Sequence, residues 1–368
     1  MTVESLFSPL ALGPYTLAHR IVMAPLTRMR AGAGGAPREL NVEYYRQRAT
    51  PGGLIVAEAS PISVSAQGMP NTPGIYTPDQ VAGWSVVTRA IHEVGGVVFL
   101  QLWHVGRISH SSHQPGGGAP VAPSAIPAAG NAFTASFERV PFETPRALKT
   151  AEISQVIEDY RVAARNAMAA GFDGVEIHGA NGYLIEQFLH ARTNTRGDAY
   201  GGSIENRSRF LLEATAAAVD VWGADRVGVR LSPFGVANDS GEADAEPLYR
   251  YAIRELAAFG LVYLHLIEPR ASGSGQAEVD HAGVPLASAV FREEWPGVLI
   301  AAGNYTPESA AAAVDEGNAD AVAFGRQFIA NPDLPARIRA GAPLNRYHRP
   351  TFYGGDAVGY TDYPRWTA

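Results

Sequence analysis

The sequence predicts a closed (β/α)8 barrel, because short apolar runs rich in β-branched residues alternate with amphipathic helical segments throughout its 368 residues. Such alternation is typical of a parallel sheet whose strands are covered on both faces. Eight of these runs can be placed, and eight parallel strands separated by helices close into a barrel. We therefore predict an α/β fold in which residues 1–368 form one TIM-barrel domain, since such barrels routinely exceed the usual domain length.

The predicted strands occupy residues 20–24, 54–57, 97–101, 174–177, 227–231, 261–264, 298–301 and 321–324. The clearest helix is predicted at 151–170, where apolar positions repeat at the three- and four-residue spacing of a buried stripe. Thr150 is predicted as its N-cap and Gly171 as its end. Further helices are predicted at 205–221, 245–259 and 306–317.

Two segments depart from an even barrel. Residues 6–17 contain two short segments around Gly13-Pro14, which predict a hairpin that closes the bottom of the barrel. Residues 103–150 are rich in Gly, Pro and Ser, and a loop of this length after a barrel strand predicts a lid over the active site. His110 and His113 in this loop are interpreted as solvated residues, because no acidic or Cys partner stands at a metal-ligand spacing.

Composition excludes several classes of function. A net charge of -7 without a Lys/Arg run argues against a nucleic-acid binder, and the absence of Cys excludes disulfides, thiolate metal sites and a Cys nucleophile. Lys149 is the single lysine and precedes a helix, which disfavours a Schiff-base aldolase. No stretch resembles a secretory leader or a membrane span, so we predict a cytoplasmic protein without a membrane partner.

Candidate site residues lie at the ends of the predicted strands, at the barrel edge where catalytic groups lie in this fold. They are Pro25-Leu26-Thr27, Gln101, Trp103, His178, Asn181, Arg230, Gly303-Asn304 and Gly325-Arg326. The last two pairs predict a phosphate site, because glycine admits backbone N–H groups to the phosphate while a helix start and a guanidinium supply positive potential. Without a GxGxxG or P-loop motif, a mononucleotide is favoured, although the glycines could also be ordinary turn residues.

Longer segments around these residues resemble the Old Yellow Enzymes. The matching segments are residues 19–28, 101–107, 174–184, 194–207 and 351–364, and together they extend the resemblance over nearly the whole chain. The chain is most similar to the bacterial branch that acts on activated alkenes and nitrate esters. The resemblance implies an FMN-dependent ene-reductase that takes hydride from NADH or NADPH and passes it to a small-molecule substrate in a ping-pong cycle.

The resemblance also implies roles for the residues at the cofactor. Gly303, Asn304, Gly325 and Arg326 are expected to hold the FMN phosphate. Thr27, in the loop with Pro25 and Leu26, is expected to contact flavin O4, and Gln101 the pyrimidine edge. Arg230 is expected near N1 and O2, where its charge would stabilise the anionic reduced flavin, and Ala59 is expected to touch the ring through its backbone.

For the substrate, the resemblance implies that His178 and Asn181 donate hydrogen bonds to a carbonyl or nitro oxygen and that Tyr183 donates a proton to the α-carbon. Trp103, Met69 and Tyr353 are expected to form the pocket walls. The chain carries Met69 where many relatives have an aromatic residue, which predicts a wider or differently selective pocket. It carries Asn181 where some bacterial relatives have a second His, and both side chains can donate.

Other interpretations stay open at this stage. The glycine loops could serve another phosphate-binding barrel, such as an epimerase or a lyase, and the fold could belong to a flavin-binding protein without turnover. His178 could be a structural residue, Arg230 could neutralise a buried carboxylate, and Tyr183 could pack its ring in the core. The sequence is compatible with either a monomer or a homodimer.

Overall fold

The computed structural model describes residues 2–269 and 283–367. Its strands are β1 Leu10–Leu12, β2 Tyr15–Leu17, β3 Ile21–Met23, β4 Leu54–Pro61, β5 Val97–Trp103, β6 Val121–Ala122, β7 Asn131–Phe133, β8 Arg139–Pro141, β9 Arg146–Ala147, β10 Gly174–Gly179, β11 Val227–Leu231, β12 Tyr263–Ile267, β13 Leu299–Ala302 and β14 Ala321–Phe324. Eight of them form a closed barrel in the order β10-β11-β12-β13-β14-β3-β4-β5, with parallel pairing throughout. The predicted barrel is confirmed.

Each barrel strand coincides with one of the eight predicted apolar runs. The largest difference is at β12, which begins at Tyr263 and extends to Ile267, because Leu261 and Val262 still belong to the turn that precedes it. Every residue of these strands is buried, since side chains alternate between the barrel interior and the layer of helices outside. The alternation of polar and apolar residues that marks a half-buried strand is therefore absent from these strands, and a largely apolar run is the feature that predicts them.

The helices are α1 Glu39–Arg48, α2 Pro78–His92, α3 Thr150–Ala169, α4 Leu184–Leu189, α5 Ile204–Trp222, α6 Ala245–Ala257, α7 Ala287–Phe291, α8 Pro307–Asp315, α9 Arg326–Ala330 and α10 Leu334–Ala340. The prediction of Thr150 as an N-cap is wrong, because Thr150 is already helical and its hydroxyl donates to Asp198 at 2.7 Å. Lys149 precedes the helix, and its N–H donates to the Glu152 carboxylate at 2.7 Å. Gly171, with a φ of +82°, follows the helix end as predicted.

The N-terminal hairpin closes the bottom of the barrel, as predicted. Strands β1 and β2 pair antiparallel, and Leu12 and Leu17 pack in one buried cluster with Val22 and Leu54. Gly13 joins the two strands with a φ of +54°, and a Cβ there would lie 2.1 Å from the Asp225 carbonyl oxygen. The turn therefore requires glycine both for its conformation and for its close approach to the barrel.

The long insertion after β5 contains two small sheets, β6 with β9 and β7 with β8. The prediction that His113 is solvated is wrong, because its ring is buried and its Nε2 lies 2.9 Å from the Phe133 carbonyl oxygen. Burial lowers the pKa of this imidazole, so it is a neutral structural residue. Nowhere in residues 2–269 and 283–367 do three or more His, Asp or Glu converge as metal ligands. Within the same ranges, no helix combines the length and apolarity that crossing a membrane requires.

Candidate active site

A cavity of about 460 Å³ opens at the carboxyl ends of the barrel strands. Every residue that the sequence analysis proposed for the site lines it: Pro25, Leu26, Thr27, Ala59, Met69, Gln101, Trp103, His178, Asn181, Tyr183, Arg230, Gly303, Asn304, Gly325, Arg326 and Tyr353. Parallel strands in a barrel end on one rim, which is why residues from distant parts of the chain meet there. The structure thus brings the proposed residues together, while their individual roles remain predictions.

A left-handed turn after β10 aims the predicted catalytic residues at the cavity. Asn181 has a φ of +59° and Gly182 a φ of +77°, conformations that these two residue types tolerate best. The turn reverses the chain, so that the Tyr183 ring meets Trp103 edge-on at 4.9 Å and His178 at 5.0 Å between ring centroids. The three rings therefore form one wall of the cavity.

A buried carboxyl group, Glu186, holds this turn from behind. It accepts hydrogen bonds from the Gly182 N–H, the Ser232 hydroxyl and, at 3.0 Å, the Tyr249 hydroxyl. Ser232 in turn accepts from the Asn181 N–H at 2.8 Å. Burial raises the pKa of Glu186 to about 7 despite these donors. The backbone of the turn at Asn181 and Gly182 is thus tied to the end of β11 through the side chains of Glu186 and Ser232.

The electrostatics of the wall suit hydrogen-bond donation and proton delivery. Burial, together with the nearby Arg230 guanidinium, holds the pKa of His178 well below its usual range, so the imidazole is neutral and carries one N–H. Burial also raises the pKa of the Tyr183 phenol, which keeps its hydroxyl protonated. A neutral imidazole beside a protonated phenol can bind an oxygen atom and supply a proton next to it.

Three polar atoms at the cavity indicate a polar ligand. The indole Nε1 of Trp103, Nδ1 of His178 and Nε of Arg230 are buried and meet no hydrogen-bond partner within the part of the chain that the structure describes. Buried polar groups are normally hydrogen-bonded, so such atoms beside a cavity point to a ligand that satisfies them. The ring nitrogens and carbonyl oxygens of an isoalloxazine match this set, and the residues therefore fit the FMN that the sequence resemblance implies.

Arg230 also lies near a buried carboxylate, as one of the open interpretations anticipated. Glu176 on β10 is fully buried and accepts from Gln101 Nε2 at 2.7 Å, while its other oxygen lies 2.8 Å from His265 Nδ1. The charges of Glu176 and Arg230 stabilise each other. Sequence reasoning missed Glu176, although a carboxylate in the middle of an apolar strand was a signal for it.

The opposite end of the cavity has the geometry of an anion site. Gly303 has a φ of +143°, and a Cβ there would lie 2.8 Å from the Cβ of Glu268. Asn304 follows with a φ of +52°, and its Oδ1 accepts from Arg326 Nη2 at 2.8 Å. The positive-φ backbone at Gly303 and Asn304 and the Arg326 guanidinium therefore lie together at the ends of β13 and β14, an arrangement that suits an anion such as a phosphate.

The lid contributes lining residues that the sequence analysis did not name. They are Asn131, Ala132, Phe133, Arg139 and Phe142 from the β7–β8 hairpin and its neighbourhood. Phe133 meets the predicted pocket residue Tyr353 at 6.3 Å between ring centroids. Met69 packs against the cluster that contains Trp103 and Tyr183. The length of the insertion was the one available signal for the lid, because its two-stranded sheets are too short to leave a periodic pattern.

Comparisons with known proteins agree with this geometry. Residues 5–345 match the sequence model of the NADH:flavin oxidoreductase / NADH oxidase family. The chain is 48% identical over 362 residues to 12-oxophytodienoate reductase 1 of Oryza sativa subsp. japonica, covering 98% of this chain and 92% of that protein. A morphinone reductase solved in complex with tetrahydroNAD has a TM-score of 0.91 at 48% identity, covering 98% of both chains. An Old Yellow Enzyme homologue from Zymomonas mobilis has a TM-score of 0.92 at 42% identity, covering 98% of this chain and 99% of that one.

Proposed function

This chain belongs to the NADH:flavin oxidoreductase / NADH oxidase family, and from that membership we propose that it is an FMN-dependent ene-reductase. It is an oxidoreductase of the Old Yellow Enzyme type, with FMN as its cofactor and a reduced nicotinamide as its hydride donor. The proposed substrates are alkenes conjugated to an electron-withdrawing group, such as enones, maleimides and quinones, together with nitro compounds and nitrate esters.

One observation carries the proposal: a neutral imidazole and a protonated phenol lie side by side in a buried cavity. The His178 and Tyr183 ring centroids are 5.0 Å apart, and both groups line the cavity together with the Arg230 guanidinium. An epimerase or lyase acting on a sugar phosphate would need a group that removes a proton near neutral pH. Here the pKa of Tyr183 is raised and that of His178 is lowered, so neither is suited to that task.

The cofactor is proposed to lie across the strand ends. When bound, FMN would supply the hydride-carrying chemistry that links the nicotinamide to the β-carbon of the alkene. Gly303, Asn304, Gly325 and Arg326 would hold its phosphate. At the other end of the cavity, Arg230 would provide a fixed positive charge that stabilises the reduced cofactor, and Gln101 would present its amide to the ring system.

The substrate binds with its oxygen atom toward the catalytic turn. His178 and Asn181 donate hydrogen bonds to the carbonyl or nitro oxygen, which withdraws electron density from the alkene and makes its β-carbon a better hydride acceptor. The Tyr183 hydroxyl gives its proton to the α-carbon, and solvent then restores the phenol. The product gains one hydride from the nicotinamide and one proton from water.

Several finer features remain predictions. Met69 is proposed to make the pocket wider or differently selective relative to relatives with an aromatic residue there. Residues 1–368 are proposed to act as one domain, as a monomer or a homodimer, in the cytoplasm.

Anaerobic spectroscopy of the purified protein with FMN tests the proposal. We expect visible flavin absorption that a reduced nicotinamide bleaches and that cyclohexenone then restores, because both half-reactions use the same cavity. Turnover of an enone, a maleimide and a nitrate ester with each nicotinamide then defines the substrate class.

The two alternatives give different results in this experiment. A protein that takes up no FMN would favour another phosphate-binding barrel. A protein that binds FMN but shows neither bleaching nor reoxidation by any of these substrates would favour a flavin-binding role without turnover.

A further inference from the structure

We propose that Glu176 is a positioning residue for the flavin: its buried carboxylate orients the Gln101 amide and offsets the charge of Arg230, and it thereby lowers the reduction potential of the bound cofactor. The inference rests on FMN binding in the cavity, which the proposed function requires as well. The Glu176 side chain does not itself line the cavity. It contacts Gln101 and is electrostatically coupled to Arg230, and both of these residues line the cavity.

The contacts of Glu176 place its carboxylate inside the barrel. Gln101 lies on β5, next to β10, but His265 lies on β12, which is separated from β10 by β11. A side chain on β10 can reach both partners only across the barrel interior. Glu176 has no exposed surface, so its charge acts in a medium that screens it far less than water does.

The carboxylate determines which way the Gln101 amide faces. An ionised carboxylate can only accept hydrogen bonds, so the atom of Gln101 that lies 2.7 Å from it must be the NH2 nitrogen. The amide is therefore held in one of its two orientations, with the second N–H and the carbonyl oxygen left to face their surroundings. Because Gln101 lines the cavity, Glu176 selects the donor and acceptor pattern that a ligand meets there.

Glu176 is the negative partner of Arg230 although it is buried. Burial opposes its ionisation, but His265, Arg230 and Gln101 together hold the pKa of the carboxyl below its usual range. Burial and the Arg230 charge lower the pKa of His265, so that imidazole is neutral and donates its Nδ1–H to the carboxylate. The Glu176 anion is thus paired with the Arg230 cation beneath the cavity, and of the two only Arg230 lines the cavity.

This arrangement predicts the direction of the effect on the cofactor. Reduction places negative charge beside Arg230, which stabilises it, while the carboxylate behind Arg230 opposes it. Removing the negative charge should therefore make reduced FMN bind more tightly relative to oxidised FMN. For one buried unit charge we expect a ratio on the order of tenfold, which for a two-electron couple is about 30 mV.

Glu176→Gln tests the charge while it keeps the hydrogen bonds. The introduced amide can accept from Gln101 through its oxygen and donate to His265 Nδ1 through its nitrogen, provided that the His265 proton moves to Nε2. That nitrogen has no partner within the described ranges, so the change of tautomer breaks no contact there. Glu294→Gln is the matched control, because Glu294 is buried on the outside of the barrel and pairs with Arg250 and Arg254.

The measurement is the midpoint potential of the FMN holoenzyme, together with the Kd of oxidised FMN. We expect Glu176→Gln to raise the potential by about 30 mV and Glu294→Gln to leave it at the wild-type value. A Glu176→Gln holoenzyme with the wild-type potential, or a lower one, overturns the inference. A wild-type protein that binds no FMN contradicts the proposed function instead, so the two failures are distinguishable.

A second measurement applies if Glu176→Gln does not fold. The infrared difference spectrum between oxidised and reduced wild-type holoenzyme reports any carboxyl group that gains a proton on reduction. We expect no new protonated-carboxyl band, because Glu176 remains the counterion of Arg230 in both states. The appearance of such a band, if it persists in Glu186→Gln and so does not come from the buried Glu186 carboxyl group, would overturn the inference.

Discussion

The two ends of the cavity differ in burial and in the groups that form them. At the ends of β10 and β11, His178 and Arg230 are 4% and 8% exposed, and carboxyl groups of Glu176 and Glu186 lie behind them. At the ends of β13 and β14, Asn304 is exposed and Arg326 half-buried, and the conformation of the Gly303 backbone shapes the site. One end is a buried network of side chains, and the other is a more exposed site shaped by the backbone.

The difference indicates where single substitutions should matter most. In a buried network, each polar group has few alternatives, so removing one leaves its partner unsatisfied or leaves the chemistry without a proton. At a solvent-exposed site, water can replace a missing donor, and solvent already screens the charges, so that losing one of them matters less. Substitutions at the buried end should therefore have larger effects than equivalent substitutions at the phosphate end.

Tyr183→Phe should produce the largest effect. The substitution removes the proton donor and keeps the ring that packs on Trp103 and His178, so reduction of the flavin by nicotinamide should persist while alkene reduction slows by about 10²- to 10⁴-fold. Stopped-flow measurement of the two half-reactions separates these steps. Tyr251→Phe, at a half-buried tyrosine that does not line the cavity, should leave both rates near the wild type. Unchanged alkene reduction in Tyr183→Phe would remove its proposed role.

Glu186→Gln should change how the free energy of unfolding depends on pH. Burial raises the pKa of Glu186 from an ordinary 4.5 to about 7, so the folded protein binds this proton more tightly than the unfolded chain. The resulting stabilisation is complete below about pH 4.5 and is lost as pH rises through 7, by up to about 3 kcal/mol.

Urea unfolding of both holoenzymes between pH 5 and pH 8 measures this contribution. The free energy of unfolding of the wild type should decrease relative to that of Glu186→Gln as pH rises, because the variant has no proton to lose. A difference between the two proteins that does not vary with pH would contradict the assignment.

Arg326→Met should have the smallest effect of the three. Arg326 is half-buried, so its hydrogen bond to a phosphate should contribute about 1.5 kcal/mol, and the Kd of FMN should rise about tenfold. Fluorescence titration of FMN measures this change. Arg139→Met removes a cation from the lid side of the cavity and should leave FMN affinity near the wild type. Equal increases in the Kd of FMN for the two substitutions would indicate that the phosphate does not bind at Arg326.

Much of the fold could be predicted from local patterns. The eight barrel strands coincide with predominantly apolar runs, because strands buried on both faces are rich in apolar and β-branched residues. Helix α3 was also predicted to within one residue at each end, although the Thr150 hydroxyl donates to Asp198 and does not cap the helix. Caps and exposure are harder to predict, as His113 illustrates, because they depend on neighbours such as Phe133 that are distant in sequence.

The site divides in a similar way. By itself, the sequence determined which residues follow the barrel strands and which family the chain resembles. Both the strands and the family motifs are contiguous segments, such as residues 174–184, and can be recognised without the tertiary structure. Tertiary structure alone decided that Glu176 meets Gln101 and His265, and that Glu186 fastens the turn at Asn181. The energy of a buried charge depends on the groups that surround it in space, and barrel closure brings those groups from strands far apart in the chain.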